Sequence, residues 1–248
     1  MTSKIAIVTG AGSGIGRASA LALLEDGWSV ALIGRRSSLL KETAELSASP
    51  DEALPISADI SNLDEVIDVF SKVKERFGRL DFLFNNAGDN ITHTPIENIE
   101  YKDWIRVLQT NVTGTFLCAQ QAFILMKSQL PMGGRIVNIG ALGAQVPRPD
   151  STCFTVTKHA IAGLTKSLSL DGRNYDIACG QIDIGHTVTP TTQPKSLAKQ
   201  PDGRIIVEPT MDAEAVTKTI VMMANLPLDT NFQSITLLPT KVPFIGRG

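Results

Sequence analysis

Short apolar runs alternate with helix-periodic segments along the whole chain, and this alternation restricts the fold more than any other feature. Ile5 to Thr9, Val30 to Ile33, Leu54 to Ile56, Leu80 to Phe84, Ile136 to Ile139, Ile177 to Ile182 and Ser234 to Leu238 read as strands. Between them, apolar residues recur at helical spacing. Ile15, Ala18, Leu21, Ala22 and Leu24 precede a stop at Gly27, Leu39 to Leu46 form a second stretch, and Leu63, Val66, Ile67, Phe70, Val73 and Phe77 form one stripe closed by Gly78. Further helices are expected near Trp104 to Met126, Thr155 to Leu170 and Ala213 to Ala224. Strands that are apolar throughout need cover on both faces, which predicts an α/β, doubly wound parallel sheet of about seven strands.

The 248 residues suit one such domain, and no internal repeat divides residues 1–248. The long irregular stretch from Gly185 to Pro209 is expected to be a lid or substrate loop. With 43% hydrophobic residues, 19% charged residues and a formal charge of -2, the composition shows no bias toward nucleic acid or a membrane surface. A small-molecule partner is expected instead. Cys118, Cys153 and Cys179 share no disulfide or metal spacing, so no metal is expected and a reducing, cytoplasmic location is. Neither a signal segment nor a membrane span is legible.

Thr9-Gly10-Ala11-Gly12-Ser13-Gly14-Ile15-Gly16 lies between the first expected strand and the first expected helix. Small residues there let the backbone approach a pyrophosphate, and a helix N-terminus offers unpaired N–H groups and a positive dipole end. The location marks a Rossmann-type dinucleotide site, with Gly10, Ser13, Gly14, Ile15 and Gly16 as its first contacts. At the end of the second strand, where a carboxylate would hold the ribose 2′-hydroxyl of NAD, the chain has Gly34-Arg35-Arg36. Guanidinium groups suit a 2′-phosphate, so NADP(H) is favoured over NAD(H). The plainer reading of Arg35 and Arg36 is a solvated helix start.

Together with Asn85-Asn86-Ala87-Gly88 after the fourth strand, these motifs resemble the short-chain dehydrogenase/reductase family over essentially the whole chain. The resemblance implies that Asn86, Ala87 and Gly88 lie against the cofactor and that Asp59 and Ile60 contact its adenine ring. It also implies that Asn111 and Lys158 belong to the active-site tetrad. Asn111 also opens an Asn-Val-Thr sequon, which carries no weight in a cytoplasmic chain. The family's Tyr-x-x-x-Lys signature stands here as Phe154-Thr155-Val156-Thr157-Lys158, and the serine position thirteen residues before the tyrosine position is Ala141. Ile182-Asp183-Ile184-Gly185 occupies the place of the family's Asn-Pro-Gly segment, so Ile184 and Thr189 are expected near the nicotinamide amide. The resemblance further implies a homodimer or homotetramer paired through the two long helices, whose Phe116, Phe123 and Leu164 would meet a partner or fill the core.

Hydride transfer to a ketone creates an alkoxide that needs a nearby acid, and losing a positioned acid costs about 10²–10⁴ in rate. Hydride addition to an iminium ion ends in a neutral amine and needs neither hydroxyl. The expected acceptor is therefore a cationic or otherwise activated C=N group, with Lys158 and Asn111 holding the ribose and a water chain. Asp183, Asp150, His93 and His186 are the candidates for charge beside the substrate, Asp183 foremost because its loop is expected to face the nicotinamide. Against these stand plainer readings: Asp150 as a turn residue, the histidines as exposed loop residues, and Asp183 as a partner for backbone. Cys153, beside Phe154, has no evident histidine base to make it a nucleophile. Two other functions remain open: a non-redox cyclase or isomerase using the same cleft, and a silent or engineered inactive chain.

Overall fold

The computed structural model describes residues 3–91, 93–189, 196–200 and 202–245. Its main sheet is built from β1 (Ile5–Thr9), β2 (Ser29–Gly34), β3 (Ala53–Ser57), β4 (Phe82–Asn85), β5 (Gly134–Ile139), β6 (Ile177–Ile184) and β11 (Ser234–Leu237). The seven strands are all parallel, in the order β11-β6-β5-β4-β1-β2-β3. Alternate residues of each strand serve opposite layers, as the period-two pleat requires. Ile5 and Ile7 pack with Val66, Val69, Phe70 and Val73 of α3 (Leu63–Phe77) and with Leu117, Ala122 and Met126 of α5 (Thr115–Ser128). Ala6 and Val8 pack on the other face with Leu23 of α1 (Gly14–Glu25), Leu40 of α2 (Ser37–Glu45) and Ile220 of α7 (Ala213–Asn225). This is the expected single-domain Rossmann arrangement.

Local chemistry explains where elements begin and end. The α3 N-terminus is capped by Asn62, whose side chain accepts from the backbone N–H groups of Asp64 and Glu65, and the helix stops at Gly78 with φ at 79°. β4 starts at Phe82 and not at Leu80, because the Gln129 amide pairs with both backbone groups of Leu80, at 2.9 Å each. α4 (Tyr101–Leu108) runs into α5 through a π-helical stretch, Gln109–Gly114, which carries Asn111. Such single-turn widenings recur at functional sites. The second long helix, α6, spans Thr152–Asp171.

The described residues between 185 and 209 form more regular structure than their composition suggests. β7 (Thr187–Val188) pairs with β10 (Met211–Asp212), and β8 (Ser196–Lys199) pairs antiparallel with β9 (Ile205–Glu208). Residues 190–195 and Pro201 lie outside the described residues. Gly203, at φ 87°, donates to the Gln200 carbonyl and closes the hairpin turn. Two ion pairs, Arg148 with Glu208 and Lys199 with Asp150, tie the hairpin to the loop before α6.

On the long helices, Phe116 is exposed, as are Ile124 and Val156, whereas Phe123 turns inward against the Tyr175 ring. Among the described residues, no helix is long and apolar enough to cross a membrane.

A buried cation fastens the end of α7 to the sheet. Arg135 of β5 is 1% exposed, and its guanidinium donates to the Asn231 side chain and to the carbonyls of Leu226, Pro227 and Thr230. Replacing it with methionine removes the charged donor from these part-buried acceptors. Arg135→Met is expected to cost about 1.5–3 kcal/mol, read as a lower urea midpoint, since hydrogen bonds to a charged group are worth about that much and the freed acceptors can turn to water.

Candidate active site

At the carboxyl end of the sheet, β1 lies between β2 and β4, and the loops leaving β1 and β4 part to form a crevice. The Thr9 hydroxyl holds its floor together. Its oxygen accepts from the backbone N–H groups of Asn86 and Ala87, each at 3.0 Å, while the Asn86 side chain donates to the Thr9 carbonyl at 2.9 Å. Gly10 must be glycine: its φ is 70°, and a Cβ there would lie 2.8 Å from Asn86 Nδ2. A Cβ on Gly16 would lie 2.2 Å from the Gly10 carbonyl oxygen, so α1 packs directly on the turn.

A cleft of about 490 Å³ opens from this floor, lined by Gly10, Gly12, Ser13, Arg35, Arg36, Asp59, Ile60, Asn86, Ala87 and Gly88 among others. The first turn of α1 carries no acidic residue, and Ser13, its N-cap, makes no side-chain capping bond. The N-terminal dipole therefore faces the cleft without a competing carboxylate. Arg36 donates to the Ser13 hydroxyl at 3.4 Å. Burial works to raise the Asp59 pKa, but hydrogen bonds from Ser61 and the nearby Arg35 charge outweigh it and hold the carboxyl below its usual range. Gly14 and Ile15 lie behind the cleft wall. Gly14 adopts φ 55°, and Ile15 packs toward the core.

Beyond Asn86, a second cleft of about 440 Å³ is lined by Ile139, Ala141, Leu142, Phe154, Lys158 and Ile184, with Asp150, His93, His186 and Arg148 at its polar parts. Asn86 belongs to both clefts. A glycine cradle, a helix N-terminus, two arginines and an apolar continuation together fit a nicotinamide dinucleotide lying across the crevice. Among the described lining residues of the second cleft, Ser151 carries the one hydroxyl. It donates to the Arg148 carbonyl at 2.6 Å and pairs with the Thr155 hydroxyl at 3.0 Å. Tyr175 lines neither cleft and meets Phe123 edge to face at 5.9 Å.

Lys158 is buried. Its ammonium donates to the Ile139 carbonyl at 2.9 Å and stands 5.6 Å from the Phe154 ring centroid. Burial lowers its pKa to about 8, against the opposing pull of the Asp183 carboxylate. Asn111 lies behind the clefts, accepting from the Asp89 N–H at 2.7 Å and donating to the Asp89 carbonyl and the Thr157 hydroxyl. It thereby fixes the segment after Gly88 to α6. Burial raises the Cys153 thiol, which keeps it a poor nucleophile.

Asp183 is placed differently from the sequence expectation. β6 runs two residues further than its apolar run suggested, pairing Asp183 with Thr236 of β11, so Asp183 is a strand residue 1% exposed and not a loop residue in the cleft. Its carboxylate accepts from Ala141 N at 3.1 Å, Gln181 Nε2 at 2.6 Å and Gln145 Nε2 at 2.8 Å. Asp150, whose carboxylate pairs with Lys199, and the two histidines do line the second cleft. Thr189 is buried just past β7 and lines neither cleft.

Residues 4–200 match the model of the short chain dehydrogenase family. The chain belongs to that family. A 3beta-hydroxysteroid dehydrogenase of Mediterraneibacter gnavus is 34% identical over 197 residues, 78% of this chain and 69% of the relative. The structure of an acetoin dehydrogenase from Salmonella typhimurium superposes with a TM-score of 0.81 at 30% identity, covering 95% of each chain. A 3-ketoacyl-(acyl-carrier-protein) reductase from Brucella melitensis, complexed with NADH, gives a TM-score of 0.82 at 25% identity and covers 95% of this chain and 96% of its own. Short-chain dehydrogenases bind nicotinamide cofactors, and the crevice floor described above is where this chain would hold one.

The floor depends on Thr9 more than on any glycine side of the motif. Thr9→Val keeps the shape but leaves the Asn86 and Ala87 N–H groups without their acceptor, a loss of about 1–3 kcal/mol. Calorimetric titration is expected to show about tenfold weaker nicotinamide dinucleotide binding, with Thr9→Ser close to the parent.

Proposed function

We propose that the protein is an NADP(H)-dependent oxidoreductase that reduces an activated C=N group, with Ala141 and Phe154 standing at the family's serine and tyrosine positions. The observation that carries this reading is the wall of the second cleft. A methyl group and a bare phenyl ring stand there beside Lys158, and the one hydroxyl among the described lining residues, Ser151, already donates to its own turn. When bound, the reduced nicotinamide supplies a hydride. A ketone accepting it becomes an alkoxide that needs a proton, whereas an iminium carbon accepting it yields a neutral amine.

The residues divide the work. Gly10, Ser13 and the start of α1 take the pyrophosphate, while Asp59 and Ile60 flank the adenine. Arg35 and Arg36 face the 2′-phosphate that distinguishes NADP(H). Lys158 lies at the nicotinamide end, and Asn111 keeps α6 in register with the segment after β4. The apolar residues Leu142, Phe154 and Ile184 exclude water from the reacting carbon and favour a compact, largely apolar small molecule. Phe116, Ile124 and Val156 on the long helices support self-association as a homodimer or homotetramer.

Two measurements test this reading. In fluorescence titrations, Arg35→Ala/Arg36→Ala is expected to weaken NADPH binding about 10- to 100-fold, the worth of a charge-assisted contact of about 1.5–3 kcal/mol, and to leave NADH binding nearly unchanged. Equal losses for both cofactors would overturn the NADP(H) preference. In assays of NADPH consumption, the parent is expected to turn over cyclic imines and not ketones. Ala141→Ser/Phe154→Tyr should raise ketone reduction by about 10²–10⁴. A parent that reduces ketones as well as the double variant does would remove the case for C=N chemistry.

A further inference from the structure

We propose that the substrate enters the second cleft as a neutral imine, and that Lys158 Nζ donates the proton that turns it into the iminium. This rests on the C=N reading above and assigns that site its acid.

The geometry leaves Lys158 as the group suited to this step. Its ammonium has three N–H bonds, and one hydrogen bond is made among the described residues, to the Ile139 carbonyl. Donor capacity therefore remains on a side chain that lines the second cleft, 5.6 Å from the Phe154 ring centroid. The other charged groups of the cleft are engaged elsewhere: Arg148 from the loop before α6 pairs with Glu208, and Asp150 with Lys199. Asp183, from β6, is tied to Ala141, Gln181 and Gln145 and acts on Lys158 through its charge. His93 and His186 line the same cleft from the loops after β4 and β6 and are the competing acids.

A permanently cationic substrate beside the Lys158 ammonium would face like-charge repulsion in a wall that screens it poorly. A neutral imine avoids this. In the transfer, the Nζ–H bond breaks, an N–H bond forms at the imine nitrogen, and the lysine keeps the freed electron pair. The positive charge moves from Nζ to the C=N group, so the cleft's net charge is unchanged. It still lies within the field of Asp183 and beside an aromatic ring, which attracts cations through its face. A bound reduced nicotinamide would supply the hydride that makes the carbon an amine, and Lys158 regains its proton from solvent. Burial holds Lys158 near 8, within reach of an imine nitrogen's own basicity, which favours a balanced transfer.

The test compares dihydroisoquinoline, a neutral imine, with its N-methylated iminium salt, which needs no proton. With the parent enzyme at saturation, kcat for the neutral probe is expected to fall as pH rises through about 8, where Lys158 loses its proton. For the N-methyl probe kcat should not fall. Titrations with the oxidised cofactor bound should show the N-methyl cation binding at least about tenfold more weakly than the neutral probe below that pH. Lys158→Met should lose about 10²–10⁴ more in kcat on the neutral imine than on the N-methyl probe, and lose the discrimination in binding. Lys158→Arg should be poor with both, since arginine keeps the charge and holds its proton.

Identical pH profiles for the two probes in the parent would overturn the proposal without any variant. So would undiminished reduction of the neutral imine by Lys158→Met. Turnover of the N-methyl probe alone would sink the role of Lys158 and leave the C=N reading standing. A parent that binds NADPH yet reduces neither probe would overturn both.

Discussion

The reversal of strand order at β1 governs the rest of the molecule. The chain starts in the middle of its own sheet, builds outward to β3, then crosses back to place β4 on the other side of β1. Loops leaving two adjacent strands toward opposite layers must separate, and the gap between them is the crevice. What keeps the gap from becoming a hole is a small polar lock. Thr9 presents a hydroxyl to two backbone N–H groups of the β4 loop, and Gly10 lets Asn86 approach where any side chain would block it. Both clefts begin at Asn86 because the lock places it there.

Buried charge shapes the second cleft in the same way. Asp183 is held by one backbone and two side-chain donors, so its position is fixed even though it is enclosed. That position explains Gly140, where a Cβ would stand 1.7 Å from Asp183 Oδ1. The carboxylate thus sets the backbone path into Ala141 and partly offsets the cost of burying Lys158. Burial favours the neutral amine and the carboxylate favours the ammonium. The balance brings the lysine into the range where it exchanges protons near neutrality.

The layer structure was legible because the central strands are apolar on both faces, and the first cleft because a glycine-rich turn needs a strand before it and a helix after it. Arg35 and Arg36 were found from their position at the end of β2, and they line that cleft. Asp183 was misplaced because hydropathy marks where burial ends and not where pairing ends. A charged residue directly after an apolar run looks like a loop, although β11 continues to pair with it. A signal was present: Asn85, Asn138, Gln181 and Asp183 are polar side chains near the carboxyl ends of adjacent apolar strands, which marks a buried network. The hairpin at 196–208 also had its sign, a Pro-Asp-Gly turn before the β-branched Ile205-Ile206-Val207. Thr, Pro and Lys nearby outweighed it in a reading by composition.

The walls of the second cleft are held by contacts that do not involve hydroxyl groups at positions 141 and 154. The Ala141 backbone N–H is fixed by Asp183, and the Phe154 ring packs beside Gly143, where a Cβ would lie 3.2 Å from it. Lys158 is anchored on a main-chain carbonyl of β5. A fold that secures its active-site backbone this way loses little stability when reactive side chains change. Chemistry at the carbon is then set by which groups can still move a proton, and the sheet places no constraint on that choice. Removing a tyrosine hydroxyl from such a wall does more than subtract an acid. In the reaction proposed above, the buried lysine that would otherwise act through a neighbouring hydroxyl acts for itself.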